Sequence, residues 1–361
     1  MLLPLQRPPP ARTPAHPPDR DIPHRMPSSH ALRALLTAAV VVAAPRARAQ
    51  TAAPLIGLIT KTETNPFFVK MRQAAESAAA AGGARLVAGA GRNDGDNAGQ
   101  VTALENMVAA GARVVLITPS DARAIVPAIG RARARGVLVL ALDSPPDPVT
   151  AVDALYATDN YEAGLLIGRY ARAALGGRPV RAATLDLLPG HPVGAQRHNG
   201  FLRGLGLAAP DARSNTLGRP PELVCAGDTY GDQGRGRTVM ENCLQKNPDL
   251  TVVYTINEPV AAGAYRAITA AGRAGRIVVV SVDGGCQGVR DVAGGAIAAT
   301  AQQYPARMAQ LGVAAALNYI RTGKKPSGYT NTGVALVTAR PAPGVPSRDV
   351  REGGALCFGR K

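Results

Sequence analysis

Tryptophan is absent from the 361 residues, and aromatic side chains make up only 4% of them. Each of the four Phe and nine Tyr is therefore worth reading singly. Cysteine is also scarce: Cys225, Cys243, Cys286 and Cys357 are the whole complement. No two of them have the short spacing of a structural zinc site, so no metal is expected, nor any other cofactor. Beyond residue 49 there are two histidines, His191 and His198, and neither has an evident Ser or Cys partner in sequence. Surface roles are expected of both. The chain has no Walker-type phosphate loop and no Gly-x-Ser-x-Gly nucleophile elbow. Gly89-Ala90-Gly91 resembles a fragment of a dinucleotide loop, but the next glycine, Gly95, follows Asp94 and the helix begins later, which suits a flexible turn better.

Long apolar runs are missing too. The most hydrophobic stretch, residues 34–44, falls short of the roughly twenty residues a membrane-spanning helix needs. It follows a short basic region (His30, Arg33) and precedes Ala47-Arg48-Ala49, the layout of a secretory signal peptide cleaved after Ala49. Met26 is the better start of that signal. The Pro- and Arg-rich residues 1–25 are expected to be disordered or untranslated. The mature protein is thus expected in the periplasm.

What remains is ample for two domains. Hydrophobic residues are 46% of the chain and charged residues 18%, which suits a water-soluble globular protein. The net charge is +16, of which residues 1–49 (seven Arg, two Asp) hold +5, leaving +11. A basic balance raises a nucleic-acid partner. Here the arginines (Arg123, Arg131, Arg133, Arg135) are scattered along a helix and not interleaved with aromatics. An exported protein also rarely meets nucleic acid, so a solvated basic surface is the reading preferred. Four cysteines in an oxidising compartment suggest disulfides, and spacing alone leaves three pairings open.

Past residue 50, short apolar runs alternate with helix-length amphipathic segments. Strands are expected at 54–60, 84–88, 113–118 and 137–142, separated by helices at 66–81, to about 110 and to about 135, the last capped by Asp121. The pattern restarts with helices at 161–175, 193–205, 233–246 and 259–271 and strands at 180–185, 251–256, 277–282 and 297–301. Residues 206–232, with Pro210, Pro220 and Pro221, read as irregular, and a helix at 304–322 completes the set. Runs such as Val114-Val115-Leu116-Ile117 are continuous, not alternating. That marks strands buried on both faces, as in parallel sheets covered by helices. The fold expected is α/β, two doubly wound parallel-sheet lobes.

Ligands of open parallel sheets bind beyond the carboxyl ends of strands, and polar residues recur there: 61–65, Asp143-Ser144, Thr158-Asp159-Asn160, Asn257-Glu258, Asp283-Gly284-Gly285 and Gln302-Gln303. Amides, carboxylates and hydroxyls pair with sugar hydroxyls as both donors and acceptors. Phe67 and Phe68 beside Asn65 offer an apolar face to a sugar ring. Asp143 and Asp283 could form a glycosidase pair, but they belong to different expected lobes amid neutral polar groups, which suits capture better than hydrolysis.

The motifs GLITKTETNPFFVKM, DGDN, LITPSDARAIVPAI, LALDSP, ATDNYEAG, VVYTINEPVAAGAY, VVSVDGGCQGV and AQQYP together resemble the periplasmic sugar-binding proteins of ABC importers, in the ribose-binding group and nearest its fructose-binding branch. The resemblance runs from about Leu55 to Cys357. It implies a type I periplasmic binding protein fold, its lobes joined by a three-segment hinge near 157–160, 303–305 and 328–333. The lobes would be 50–157 plus 304–330 and 158–303 plus 331–361. It implies one monosaccharide in the cleft, stacked on Phe67 and Phe68 and hydrogen-bonded by Asn65, Asp143, Arg197, Asn257, Asp283 and Gln303, with Thr158 and Asn160 nearby. Two departures matter. Ser144 stands where the ribose pattern has Arg, and Lys61 replaces a small polar residue. They put fructose or another hexose ahead of ribose. Tyr230 is the expected second-lobe aromatic. The fructose-like pattern implies a Cys286–Cys357 bridge, leaving Cys225 with Cys243.

These readings imply a monomeric, non-enzymatic binding protein whose partners are a monosaccharide and an ABC permease, with no nucleic acid. A chemotaxis or signalling sensor is the alternative. A sugar-responsive transcription regulator is further off, because the export signal occupies the place of its DNA-binding helices.

Overall fold

The computed structural model describes residues 52–360. The segments 1–25 and 26–49 and the cleavage point after Ala49 lie outside the described residues. Among the described residues there are two six-stranded sheets. The first is built from β1 (Leu55–Thr60), β2 (Arg85–Ala90), β3 (Val114–Ile117), β4 (Leu138–Leu142) and β5 (Ala154–Ala157), with β11 (Gly328–Asn331) at its edge. The second contains β6 (Ala182–Asp186), β7 (Leu223–Asp228), β8 (Val252–Thr255), β9 (Val278–Asp283) and β10 (Ala299–Gln302), with β12 (Ala335–Thr338) at its edge. The strand orders are β2-β1-β3-β4-β5-β11 and β7-β6-β8-β9-β10-β12. They are the same doubly wound order, parallel throughout except for antiparallel β12.

The continuous apolar runs follow from this layering. Successive side chains of a strand point to opposite faces. In β3, Val114 and Leu116 enter one core while Val115 and Ile117 enter the other. With both faces buried, each residue of β1, β3 and β4 must be apolar or small. Helices α1 (Pro66–Ala81) and α9 (Pro305–Thr322) cover one face, and α2 (Asn97–Ala109) and α3 (Val126–Ala134) the other. The second sheet is flanked by α4 (Asn160–Ala174), α5 (Pro192–Gly204), α6 (Gln233–Lys246), α7 (Glu258–Ala270) and α8 (Cys286–Ala293), with α10 (Val350–Leu356) packed on α8 and β12. The chain passes between the sheets after β5, after β10 and after β11.

Two expectations are corrected here. Asp121 does not cap α3. Its carboxylate accepts from the amides of Arg123 and Ala124, closing a turn, and the helix starts at Val126. The segment 206–232 is not wholly irregular, because β7 runs through it as a half-buried edge strand. Two disulfides join Cys225 to Cys243 and Cys286 to Cys357, with Cα atoms 5.7 Å and 4.8 Å apart. The first ties β7 to α6 and the second ties the end of α10 to α8.

Candidate functional site

The carboxyl ends of β1, β4, β8 and β9 and the starts of α1, α5 and α7 converge on one cavity. Its walls are Lys61, Asn65, Phe67, Phe68, Asp94 and Asp143 from the first lobe and Leu187, Val193, Arg197, Ile256, Asn257, Asp283 and Gln303 from the second. Lys61, Asp143, Arg197, Asn257, Asp283 and Gln303 are all buried. The sequence expectation thus brings together nine residues from its own set: Lys61, Asn65, Phe67, Phe68, Asp143, Arg197, Asn257, Asp283 and Gln303.

Local structure fixes several of them. Asn65 is the N-cap of α1, and its Oδ1 accepts from the Phe67 amide at 3.0 Å. Asn257 caps α7 in the same way, accepting from Val260 N–H at 3.0 Å while its Nδ2 donates to the Gly231 carbonyl at 3.2 Å. Capping settles which amide atom is oxygen and turns the donor end away from the helix. Gly231 must remain bare for this approach. At φ +70° it suits glycine, and a Cβ there would stand 2.7 Å from Asp94 Oδ2.

Arg197 is wired before any ligand arrives. Its Nε donates to Asn160 Oδ1 at 2.7 Å and its Nη1 to the Ile256 carbonyl at 2.8 Å. Close crossing of α4 and α5 makes the first contact possible. Gly164 and Gly168 face Gly200 and Gly204, and a Cβ on any of them would run into the backbone of the other helix. Asn160 therefore acts on Arg197 and does not line the cavity. Thr158 does not line it either; its hydroxyl donates to the Gly333 carbonyl at 3.4 Å, tying two of the interlobe passages together.

Asp143 directly follows β4 and Asp283 ends β9, the fourth strand of each lobe, with φ of 63° and 143°. Positive φ is uncommon for a non-glycine residue and concentrates where surrounding structure enforces it. Asp283 accepts from Gln303 Nε2 at 2.9 Å. Behind it, buried Glu258 accepts from the amides of Gly284 and Gly285 at 2.8 and 2.9 Å and from Thr300 Oγ1 at 2.8 Å, bracing the turn that carries Asp283. Burial pushes the Glu258 carboxyl well above its usual range and the Asp283 carboxyl up to about 7, although Arg197 and Gln303 pull the latter back. Burial likewise raises Asp94, against the pull of Lys61.

Lys61 reaches across the cleft, with Nζ 3.3 Å from His191 Nε2, the residue at the N-cap of α5. Burial lowers the Lys61 pKa, although Asp94, Asp143 and Asp283 oppose the effect. Burial and the Lys61 charge hold His191 far below the usual imidazole range. Surface roles for the two histidines are therefore overturned. His191 is buried on the cleft, and His198 lies buried between Asp186 Oδ1 at 2.8 Å and the Gly218 carbonyl at 2.9 Å. Both are enclosed by segments distant in sequence.

Tyr230 is also corrected. It stands outside the cavity, 37% exposed, with the Arg235 guanidinium 4.4 Å over its ring. The apolar second-lobe wall is aliphatic instead: Leu187, Val193 and Ile256. Sequence reading missed these three and Asp94; only the Asp94 position, in a polar run beyond β2, carried a signal. The site offers ammonium, guanidinium and amide donors, carboxylate acceptors and two aromatic rings. No group of His, Cys, Asp and Glu among the described residues is arranged to hold a metal ion. No helix among them is long and apolar enough to cross a membrane.

A family model described as a periplasmic binding protein domain matches residues 56–325. The chain is 30% identical to the ribose import binding protein of Bacillus subtilis over 270 residues, 75% of this chain and 82% of that one. Among solved structures it is similar to an ABC transporter solute-binding protein of Agrobacterium vitis with bound D-fucose. The TM-score is 0.69 and the identity 27%, covering 79% of this chain and 95% of the other. A solute-binding protein of Actinobacillus succinogenes with bound D-allose is similar at a TM-score of 0.68 and 26% identity, covering 79% and 97%.

Proposed function

The chain belongs to the periplasmic binding protein domain family, as a non-enzymatic type I sugar-binding protein of ABC import, and from that premise we propose that it captures one hexose, of the fructose type before ribose, between its lobes. The observation that carries this reading is the composition of the buried walls. Donors (Lys61, Arg197, Asn257) and acceptors (Asp143, Asp283) line one chamber together with Phe67 and Phe68, as a polyol with hydroxyls on its rim and C–H groups on its face requires. Gln303 Oε1 adds a buried acceptor without a protein partner among the described residues, suited to a sugar hydroxyl.

The mechanism is differential binding to a hinged state. Each lobe supplies part of the hydrogen-bonding set, so a sugar satisfies both only when the lobes are closed, and its binding energy moves the open–closed equilibrium. The three interlobe passages are the hinge, with the lobes taken as 50–157 plus 304–330 and 158–303 plus 331–361. The closed form presents one continuous surface for a permease, and the protein works as a monomer. The support for a hexose is the Ser144 position beside Asp143, where the ribose pattern has Arg, together with D-fucose and D-allose in the similar structures.

A calorimetric screen of D-fructose, D-allose, D-fucose and D-ribose on the mature protein tests this. One site per monomer is expected, with a hexose tightest. Asp143→Ala and Asn257→Ala should each weaken binding at least about a hundredfold while melting remains cooperative. Wild-type affinity in either variant, or conversion of the sugar to a product, would refute the assignment.

A further inference from the structure

The C-terminal tail, beyond the matched family region that ends at residue 325, connects the lobes a fourth time. After β11, which pairs with β5 of the first lobe, its last segment from α10 onward is anchored through backbone and disulfide on the second lobe. Gln302 Nε2 donates to the Gly353 carbonyl in α10 at 2.9 Å, and the Cys286–Cys357 disulfide fixes the end of that helix to α8. The next carbonyl, of Phe358, accepts from Cys286 N–H at 2.8 Å, and the carbonyl of Arg360 accepts from Arg290 Nη1 at 3.2 Å. The Phe358 side chain leaves that lobe. It is 6% exposed and belongs to the first-lobe core with Phe67, Phe68, Met71 and Met308. Its ring meets Phe67 edge-on, centroids 5.6 Å apart at 81°, and Phe67 meets Phe68 in the same way at 5.3 Å and 88°. The three rings form a row that begins on a second-lobe tether and ends on the cavity wall.

We propose that this disulfide-tethered tail is an interlobe latch: Phe358 docks behind Phe67 as the lobes close, orienting the ring against which the sugar packs and slowing the sugar's release. The physical reason is direct. The Phe358 backbone moves with the second lobe while its ring is desolvated by the first, so opening the cleft must expose that ring or tear the tail from its anchors. The apolar burial therefore favours the closed state specifically. Phe358 is a positioning residue, acting on the ligand through Phe67. The inference rests on the sugar-capture reading, and its test separates the two.

Wild type, Phe358→Ala, Phe358→Leu and a chain ending at Cys357 are compared, all with disulfides intact. The probe sugar is whichever of D-fructose, D-allose, D-fucose and D-ribose binds wild type most tightly. Stopped-flow release should accelerate about tenfold to a hundredfold in Phe358→Ala and in the truncated chain, with association changed less than about threefold. Phe358→Leu should restore most of the slow release. Small-angle scattering without sugar should show a larger radius of gyration in Phe358→Ala and in the chain ending at Cys357 than in wild type, and no difference once sugar is saturating. Release within twofold of wild type in both variants, even with a lowered melting temperature, would make Phe358 a plain core residue and overturn the latch. If wild type bound none of the sugars, the capture reading would fail. The scattering comparison would still decide the latch, an unchanged radius in both variants overturning it.

Discussion

The two walls of the cavity come from lobes with the same strand order, yet they are prepared differently. On the second-lobe wall each polar side chain is already held by its own lobe: Arg197 by Asn160 and the Ile256 carbonyl, Asp283 by Gln303, Asn257 by Gly231 and Val260. The first-lobe wall has fewer such ties. Asn65 caps its helix and Asp143 accepts from Ser144 Oγ at 3.0 Å, while Lys61 finds its hydrogen-bond partner, His191, on the opposite lobe. One wall is preorganised and the other is completed by closure. Preorganised groups lose little freedom on binding, so they supply affinity. Groups completed by closure report whether the lobes have met.

Arg197→Ala should give the largest effect. It removes a ligand donor and also strands Asn160 Oδ1 and the Ile256 carbonyl, both buried, so affinity and stability should fall together by about 3–5 kcal/mol for binding and about 1–3 kcal/mol for unfolding. Calorimetry and denaturant melts check this. A loss of affinity with unchanged stability would mean that the second wall is not preorganised. Asp143→Asn, on the other wall, should weaken sugar binding by about 1.5–3 kcal/mol and leave the denaturation midpoint nearly unchanged, since few protein groups depend on its charge. Equal destabilisation by both substitutions would erase the contrast.

Gly200→Ala reaches the same comparison through the backbone. The added methyl would strike the Tyr161 carbonyl and force α4 and α5 apart. An overpacked contact of this kind costs about 1–3 kcal/mol, and the Asn160–Arg197 bond should lengthen with it. Gly130→Ala is the control, because a Cβ there meets nothing within 4 Å. It should be neutral or slightly stabilising, as alanine is in a helix. Two denaturation curves decide the matter, and coincident midpoints would show that the helices can separate freely.

How far the sequence carries depends on whether a feature is local. Strands β1, β3 and β4 were legible because burial on both faces leaves them apolar but for Thr60 at the end of β1, a constraint written in consecutive residues. The starts of α1 and α7 were legible because Pro66 and Pro259 suit the first turn of a helix, whereas the capping roles of Asn65 and Asn257 came only with the structure. Strand β11, by contrast, is four exposed residues, Gly-Tyr-Thr-Asn, made a strand only by pairing with β5. Strands β5 and β12 and helices α8 and α10 are four to eight residues long, too short for a periodic pattern to stand out. The aliphatic wall of Leu187, Val193 and Ile256 looks in sequence like any core, and the search for an aromatic instead settled on Tyr230. Asp94 sits close to Gly231 of the opposite lobe and His191 is buried against Lys61, juxtapositions that no local window contains.

The smallest effect expected concerns the group that completes the first wall. Burial above all keeps the His191 ring neutral; the Lys61 charge adds to this, the Pro119 carbonyl opposes it, and the Arg197 charge adds a smaller push. In the unfolded chain its pKa is about 6.5. A depressed native pKa means that the unfolded state binds the extra proton first. The contribution of His191 is therefore complete above about pH 6.5 and declines below it by at most about 1.4 kcal/mol per pH unit. Asp283 runs the other way. Raised to about 7, it contributes most at low pH and loses that contribution as pH rises through about 7. The two windows overlap, so the wild-type profile alone is ambiguous. His191→Gln keeps an acceptor for Lys61 but cannot titrate, and Asp283 is common to both proteins. The difference in unfolding free energy between variant and wild type should be flat from pH 8 to about 7 and then shift in favour of the variant by about 1–2 kcal/mol by pH 5. A difference that stays constant across that range would place His191 in contact with water, and Lys61 without its partner across the cleft.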